Sequence, residues 1–214
     1  MTGLLIGIVS SRVFSGIVAD HFGWRAAFGV SAVAIVGLAI AVRADSPLRS
    51  LEDLASAAGR GEALGYATSG IGTVHHLAME LLQVRARIKL THVPYKGSGA
   101  AIIDTVGGQV DMMVENEPSI QPYVKSGRLR GIAVTGAKRS PGLPAVPTMV
   151  EQGFSDFVVE PWFGYMAPVK TPRAAIDKLN AAFNAAMKNP KVRPRLEEAN
   201  LIIGGGTPEQ FASL

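Results

Sequence analysis

The chain has 214 residues, of which 48% are apolar and 18% are charged, so it suits one or two folded domains and not a disordered chain. Its formal net charge is only +4, and no basic stripe runs along the sequence, which argues against nucleic-acid binding. The absence of cysteine excludes disulfides, thiolate metal sites and cysteine nucleophiles.

The N-terminal segment, residues 1–43, carries few charges, whereas charges recur every few residues after it. Its uncharged stretch, residues 26–42, is at the short limit of what can cross a bilayer as a helix. The preceding stretch, residues 4–19, is a weaker candidate because Arg12 would be costly in the middle of a bilayer. We therefore expect an N-terminal hydrophobic helical hairpin that contacts the membrane through residues 4–42.

The same segment contains a spaced motif. Gly7, Arg12 and Gly16 are followed by Gly23-Trp-Arg25, and this spacing resembles one helix–loop–helix of a major facilitator superfamily transporter. Two helices cannot form an alternating-access pathway, so the resemblance implies a transporter-like fragment and not transport. An export signal, with the uncharged stretch as its apolar core, is the alternative.

Strand and helix patterns alternate with short loops beyond this segment. The predicted strands are residues 64–68, 88–93, 109–114, 129–135, 157–160 and 163–166. The predicted helices are residues 51–58, 74–84, 100–106, 118–125, 172–188 and 192–199, with a short last helix beginning at Thr207-Pro208. This order predicts an α/β fold with a mostly parallel sheet flanked by helices.

A glycine loop, Ser69-Gly-Ile-Gly-Thr73, lies between a predicted strand and a predicted helix. Free amides at a helix start can bind an anion, and the hydroxyls of Ser69 and Thr73 can donate to it. A tight turn capped by Thr73 is the alternative. The loop lacks the third glycine of a dinucleotide fingerprint and the Gly-Lys of a P-loop.

No catalytic or metal site is predicted. His75 and His76 are adjacent, so on a helix they point about 100° apart, and His92 lies in another element. No Gly-x-Ser-x-Gly elbow occurs and no pair of carboxylates stands out. An enzyme that uses the glycine loop as an oxyanion or phosphate cradle is therefore disfavoured, and we expect no cofactor.

Several longer motifs follow one another in the second part of the chain. They include Tyr66-Ala-Thr-Ser-Gly-Ile-Gly-Thr73, Thr91-His-Val-Pro-Tyr-Lys-Gly97, Gly107-Gly-Gln-Val-Asp111 and Leu143-Pro-Ala-Val-Pro-Thr148. In this order they resemble the Bug-type solute receptors of tripartite tricarboxylate transporters, over about residues 47–214. The first half of that family's chain has no counterpart here, and the C-terminal end stops early.

The resemblance implies a periplasmic-binding-protein type II-like fold of two lobes. Residues 47–160 would form ligand-binding lobe two, and residues 161–214 an incomplete remnant of lobe one, behind the hydrophobic segment 1–43. It further implies a periplasmic solute-binding protein, here a fragment fused to a transporter piece and anchored by that segment. Such a protein would bind a small organic carboxylate and work with membrane permease subunits. A membrane-anchored remnant of a major facilitator transporter with a non-binding soluble tail is the alternative function.

The resemblance also implies which residues would bind the ligand. They lie in three loops that follow predicted strands, and in the helix after the first loop, where ligands of open sheets gather. The implied ligand-binding residues are Ser69, Gly70, Gly72, Thr73, His76, Tyr95, Lys96, Gly97, Glu115 and Asn116. Packing of Tyr95 and simple solvation of Lys96 are the alternatives at those two positions.

Overall fold

The computed structural model describes residues 29–35, 37–168, 170–198 and 201–212. In chain order the strands are β1 (Gly29–Ile35), β2 (Leu38–Arg43), β3 (Gly65–Thr68), β4 (Thr91–Pro94), β5 (Met112–Asn116), β6 (Leu129–Val134), β7 (Trp162–Met166) and β8 (Ile202–Ile203). The helices are α1 (Leu51–Gly59), α2 (Val74–Ala86), α3 (Ser98–Gly107), α4 (Glu117–Lys125), α5 (Arg173–Lys188), α6 (Arg193–Glu198) and α7 (Pro208–Ala212), with a 3-10 turn at Val150–Gln152. The predicted α/β alternation is confirmed with two exceptions: residues 157–160 form no strand, and β8 was not predicted.

The chain divides into two compact units, each with its own sheet. The larger unit is Val36–Pro161, and the smaller unit combines Met1–Ile35 with Trp162–Leu214. The larger sheet has the strand order β4-β3-β5-β2-β6. In it β3 is parallel to β4 and β5, but β2 is antiparallel to both β5 and β6. The sheet is therefore mixed. The prediction of a mostly parallel sheet is corrected, because β2 runs antiparallel to both of its neighbours.

The prediction of an N-terminal helical hairpin is wrong for the residues that the structure describes, because β1 and β2 are strands. An unbroken apolar run fits a strand covered on both faces as well as it fits a helix. In β2 the larger side chains, Leu38, Ile40 and Val42, join one core cluster, while the two alanines between them join the other. The part of the predicted hairpin and of the transporter-like motif within residues 1–28 lies outside the described residues. No helix among the described residues has both the length and the apolarity needed to cross a membrane.

Helices cover both faces of the larger sheet. One core cluster joins α1 and α2 to the sheet through residues such as Leu54 and Met79, and the other joins α3 and α4 through Ile102 and Ile120. Each of these side chains is at most 5% exposed. This packing holds the strand ends, and the loops that follow them, on a rigid three-layer support.

The smaller unit has an antiparallel sheet of order β7-β1-β8. Helix α5 packs in this unit, where Ile176 is buried and the ring of Phe183 stacks on Tyr165 with centroids 4.2 Å apart. Strand β1, predicted as part of a membrane helix, is thus the central strand of this sheet.

Candidate functional site

All ten predicted ligand-binding residues lie at or beside one edge of the larger sheet. Because β3, β4 and β5 are parallel, their carboxyl ends meet at the same edge, and each strand is followed there by a helix. The N-termini of α2, α3 and α4 therefore lie at this edge, and each contributes a partial positive charge. The arrangement favours an anion.

The glycine loop after β3 is both a capped turn and a source of free amides. The Thr73 hydroxyl donates to the Gly70 carbonyl at 2.8 Å and accepts from the His76 amide, as the N-cap of α2. The Gly72 amide donates to His76 Nδ1 at 2.9 Å. Among the described residues, the Val74 and His75 amides have no acceptor. An anion at this loop would therefore meet the first-turn amides of α2 more readily than the Gly72 amide.

The loop after β4 holds the second predicted set. The Tyr95 amide donates to the Thr68 carbonyl at 3.0 Å, which joins this loop to the glycine loop. The Tyr95 hydroxyl donates to Asp104 at 2.8 Å; burial, together with this carboxylate, raises the pKa of Tyr95 to about 12. Tyr95 thus has a structural role through its hydroxyl. Lys96 is exposed and has no ion pair within the described chain, and Gly97 has φ +128° with open space where a Cβ would point.

Glu115, at the end of β5, is a buried charge. Its carboxylate is 0% exposed, and its Oε1 atom accepts from the Asn116 amide nitrogen and from Asn116 Nδ2, both at 2.9 Å. Burial by itself raises the pKa of Glu115, but contacts with His75, the Ser98 hydroxyl and the Asn116 amide outweigh it and hold the pKa below its ordinary value. The carboxylate is therefore ionised at neutral pH.

His75 connects the glycine loop to β5, a role that the sequence analysis did not predict. Its Nε2 lies 3.1 Å from Glu115 Oε1, at ion-pair distance but outside hydrogen-bond geometry. Its Nδ1 lies 2.9 Å from the Ser69 hydroxyl oxygen. One signal could have indicated it: an acidic residue that ends an otherwise apolar strand requires a buried partner.

His76, another of the predicted ligand-binding residues, also contacts the glycine loop. Its ring stacks on His92 with centroids 4.0 Å apart, and the ring of His92 stacks in turn on Tyr66. Burial and the neighbouring His76 lower the pKa of His92. With Nδ1 occupied by the Gly72 amide, His76 holds the glycine loop in shape. Within the described residues, no group of acidic and histidine side chains could hold a metal ion.

A family profile matches most of the chain. The profile describes the receptors of the tripartite tricarboxylate transporter family and matches residues 17–211. The chain belongs to this receptor family. The family predicted from the motifs is thereby confirmed, and it is a family of periplasmic solute receptors, not of enzymes. The match begins at residue 17, so the likeness to the family extends further toward the N-terminus than the motifs indicated.

Individual relatives agree with this assignment. Protein BugT of Bordetella pertussis is 38% identical over 164 residues, which are 76% of this chain and 50% of BugT. An R. palustris protein solved with adipate is 32% identical, with a TM-score of 0.82, over 87% of this chain and 63% of that one. MatC from Rhodopseudomonas palustris, solved with bound malate, is 29% identical, with a TM-score of 0.82, over 87% and 65%. The chain spans about half the length of BugT.

Proposed function

We propose that this chain is a periplasmic receptor for a small organic carboxylate, which it binds at the carboxyl edge of β3, β4 and β5 and delivers to membrane permease subunits. The observation that carries the proposal is that three helix N-termini meet at that edge, where two backbone amides of α2 have no hydrogen-bond acceptor among the described residues. The ligands of two relatives, adipate and malate, are both dicarboxylates, which supports the same ligand class here.

The proposed site keeps the ten predicted residues but gives them different roles. The amides at the start of α2 and the exposed Lys96 would face the ligand carboxylate. Thr73, His76 and Tyr95 would hold the loops in place through the hydrogen bonds described above. Gly97 would allow the ligand to approach the backbone, because its φ and its open surroundings favour a residue without a side chain.

The two units suggest how the chain relates to the receptor's two lobes. We assign the larger unit to lobe two and the smaller unit to part of lobe one, in place of the boundaries predicted from the sequence. The transporter-like motif within residues 1–28, and a membrane anchor there, stay predictions. No observation favours the alternative of a transporter remnant with a non-binding tail.

A charge reversal at each end of β4 tests the proposal. Lys96 follows the carboxyl end of this strand, and the exposed Lys89 precedes its amino end. We expect Lys96→Glu to weaken the affinity for malate or adipate about tenfold, because it places a negative charge beside the ligand carboxylate. Lys89→Glu is the matched control and should change the affinity less than about twofold.

The measurement is a calorimetric titration of the full chain and both variants at low ionic strength, where surface charges act most strongly. Equal effects of the two charge reversals would place the ligand elsewhere. Absence of binding for every small carboxylate tested would contradict the receptor function itself.

A further inference from the structure

The chain passes between the two units twice. It enters the larger unit after Ile35 and leaves it after Pro161. Residues 37–38 are the entry segment, at the start of β2, and residues 159–160 are the exit segment, shortly before β7. The two segments are far apart in sequence, so only a tertiary contact can make the two connections act together.

Thr135, directly after β6, binds both segments. Its backbone amide donates to the Leu38 carbonyl at 2.9 Å, and its hydroxyl oxygen accepts from the Leu38 amide at 3.2 Å. The same hydroxyl donates to the Val159 carbonyl at 2.6 Å, and the Thr135 carbonyl accepts from the Val159 amide at 2.9 Å. The backbone of Thr135 therefore binds each segment, and its hydroxyl bridges the two.

Burial gives this bridge its importance. Thr135 is buried at the end of a strand whose last residues, Ile132 to Val134, are buried and apolar. A hydroxyl costs free energy in such a place unless it is hydrogen-bonded, and valine would fill the same space without that cost. The position therefore favours threonine for the contacts of its hydroxyl and not for its shape.

Each segment has a second attachment to the larger unit. The Gly37 carbonyl accepts from the Glu117 amide at 3.0 Å, and a Cβ at Gly37 would overlap the Glu117 carboxylate, so this close approach requires glycine. On the exit side, the Glu160 carboxylate accepts from the Ala137 amide at 3.1 Å. The larger unit thus holds the chain from residue 37 on entry and as far as residue 160 on exit.

We infer that Thr135 is a positioning residue that fastens the entry segment to the exit segment, so that the larger unit holds both connections at one shared anchor. Any movement of one unit against the other then bends the two connections together and not independently. The inference goes beyond the proposed function, because it involves neither the carboxyl edge nor a ligand.

Thr135→Val tests the bridge, because it removes the hydroxyl and keeps the shape of the side chain. The most informative readout is hydrogen exchange of the Val159 amide, since its acceptor is a backbone carbonyl that the substitution keeps. We expect this amide to exchange about five- to tenfold faster, because the exit segment is no longer fastened to the entry segment. Unchanged exchange at Val159 would overturn the inference.

Two further variants are the controls. Thr135→Ser keeps the hydroxyl and should leave exchange at Val159 within about twofold of the unmodified chain. Thr105→Val removes another buried threonine hydroxyl, which donates to the Ala101 carbonyl within α3, and should also leave it within about twofold. Equal acceleration in Thr105→Val and Thr135→Val would reflect a general loss of stability and would overturn the inference.

The unmodified chain decides the question if Thr135→Val does not fold. Amide exchange is then followed as denaturant is raised in steps below the unfolding transition. We expect the Leu38 and Val159 amides to open in one transition, with the same dependence on denaturant, because both depend on Thr135. Separate transitions would overturn the shared anchor.

The effect on the two units is measured by the distance between two spin labels. The sequence has no cysteine, so Lys89→Cys in the larger unit and Lys178→Cys in the smaller unit provide two specific, exposed labelling sites in the full chain. We expect Thr135→Val to broaden the distribution of label-to-label distances, because the two connections then bend independently. Thr105→Val should leave the distribution unchanged. Equal widths with and without the Thr135 hydroxyl would overturn the inference.

Discussion

Replacing Ile40 by aspartate is expected to unfold the larger unit. Ile40 lies in the middle of β2, is 1% exposed, and is hydrogen-bonded through its backbone between β5 and β6. A carboxylate there would be buried without a partner, and we expect a loss of about 4 kcal/mol or more from the free energy of unfolding. Because whole domains are stable by only about 5–15 kcal/mol, a large part of the population would be unfolded.

The matched control is Ile103→Asp, because Ile103 on α3 is 68% exposed. The same substitution there should change the free energy of unfolding by about 0.5 kcal/mol or less. Amide hydrogen exchange of β5 during denaturant unfolding reports on the larger unit, whereas both tryptophans, Trp24 and Trp162, lie outside it. Similar stability of the two variants would contradict the burial of β2 in the larger sheet and would favour the predicted hydrophobic hairpin.

Replacing His75 by leucine is expected to give the second large effect. The variant removes the ring whose Nε2 lies 3.1 Å from Glu115 Oε1 and puts an apolar side chain beside the buried carboxylate. Removing one partner of a buried pair costs about 3–5 kcal/mol, and protonation of Glu115 in the variant would keep the loss near the lower value. Denaturant unfolding at neutral pH measures it.

The double variant His75→Leu with Glu115→Leu provides the control. Apolar replacement of both partners should recover most of the lost stability, because no unpaired charge remains. In the unmodified chain the folded-state pKa of Glu115 is held below its ordinary value of 4.5. Its ionised form therefore stabilises the fold fully above pH 4.5, and this stabilisation is lost as the pH falls through the folded-state pKa.

The double variant should therefore lose less stability in acid than the unmodified chain. An equal loss of unfolding free energy in acid would contradict an ionised Glu115.

Local patterns were sufficient to predict the glycine loop. Ser69–Thr73 joins a short apolar strand to a helix. Glycines followed by a capping threonine specify such a turn through contacts between residues that are close in sequence. From β3 to β6, the order of strands and helices was predictable for the same reason. Bringing three loops to one edge then requires only that β3, β4 and β5 be parallel.

The errors lie where distant segments decide the outcome. The apolar run around β2 is compatible with a membrane helix or a buried strand, and only its pairing with β5 and β6, far along the chain, makes it a strand. The same holds for His75 and Glu115, which are 40 positions apart and meet only because α2 begins beside the end of β5. Neither contact has a signature within a short window of sequence.

A map of the amide resonances of the full chain that shift when malate is added tests directly where the ligand binds. We expect the largest shifts in three segments that follow the parallel strands, namely residues 69–75, 96–98 and 116. Resonances at the opposite edge, such as those of Lys89 and Gly108, should stay in place. Shifts centred on that opposite edge, or no shifts at all, would contradict a carboxylate site at the carboxyl ends of β3, β4 and β5.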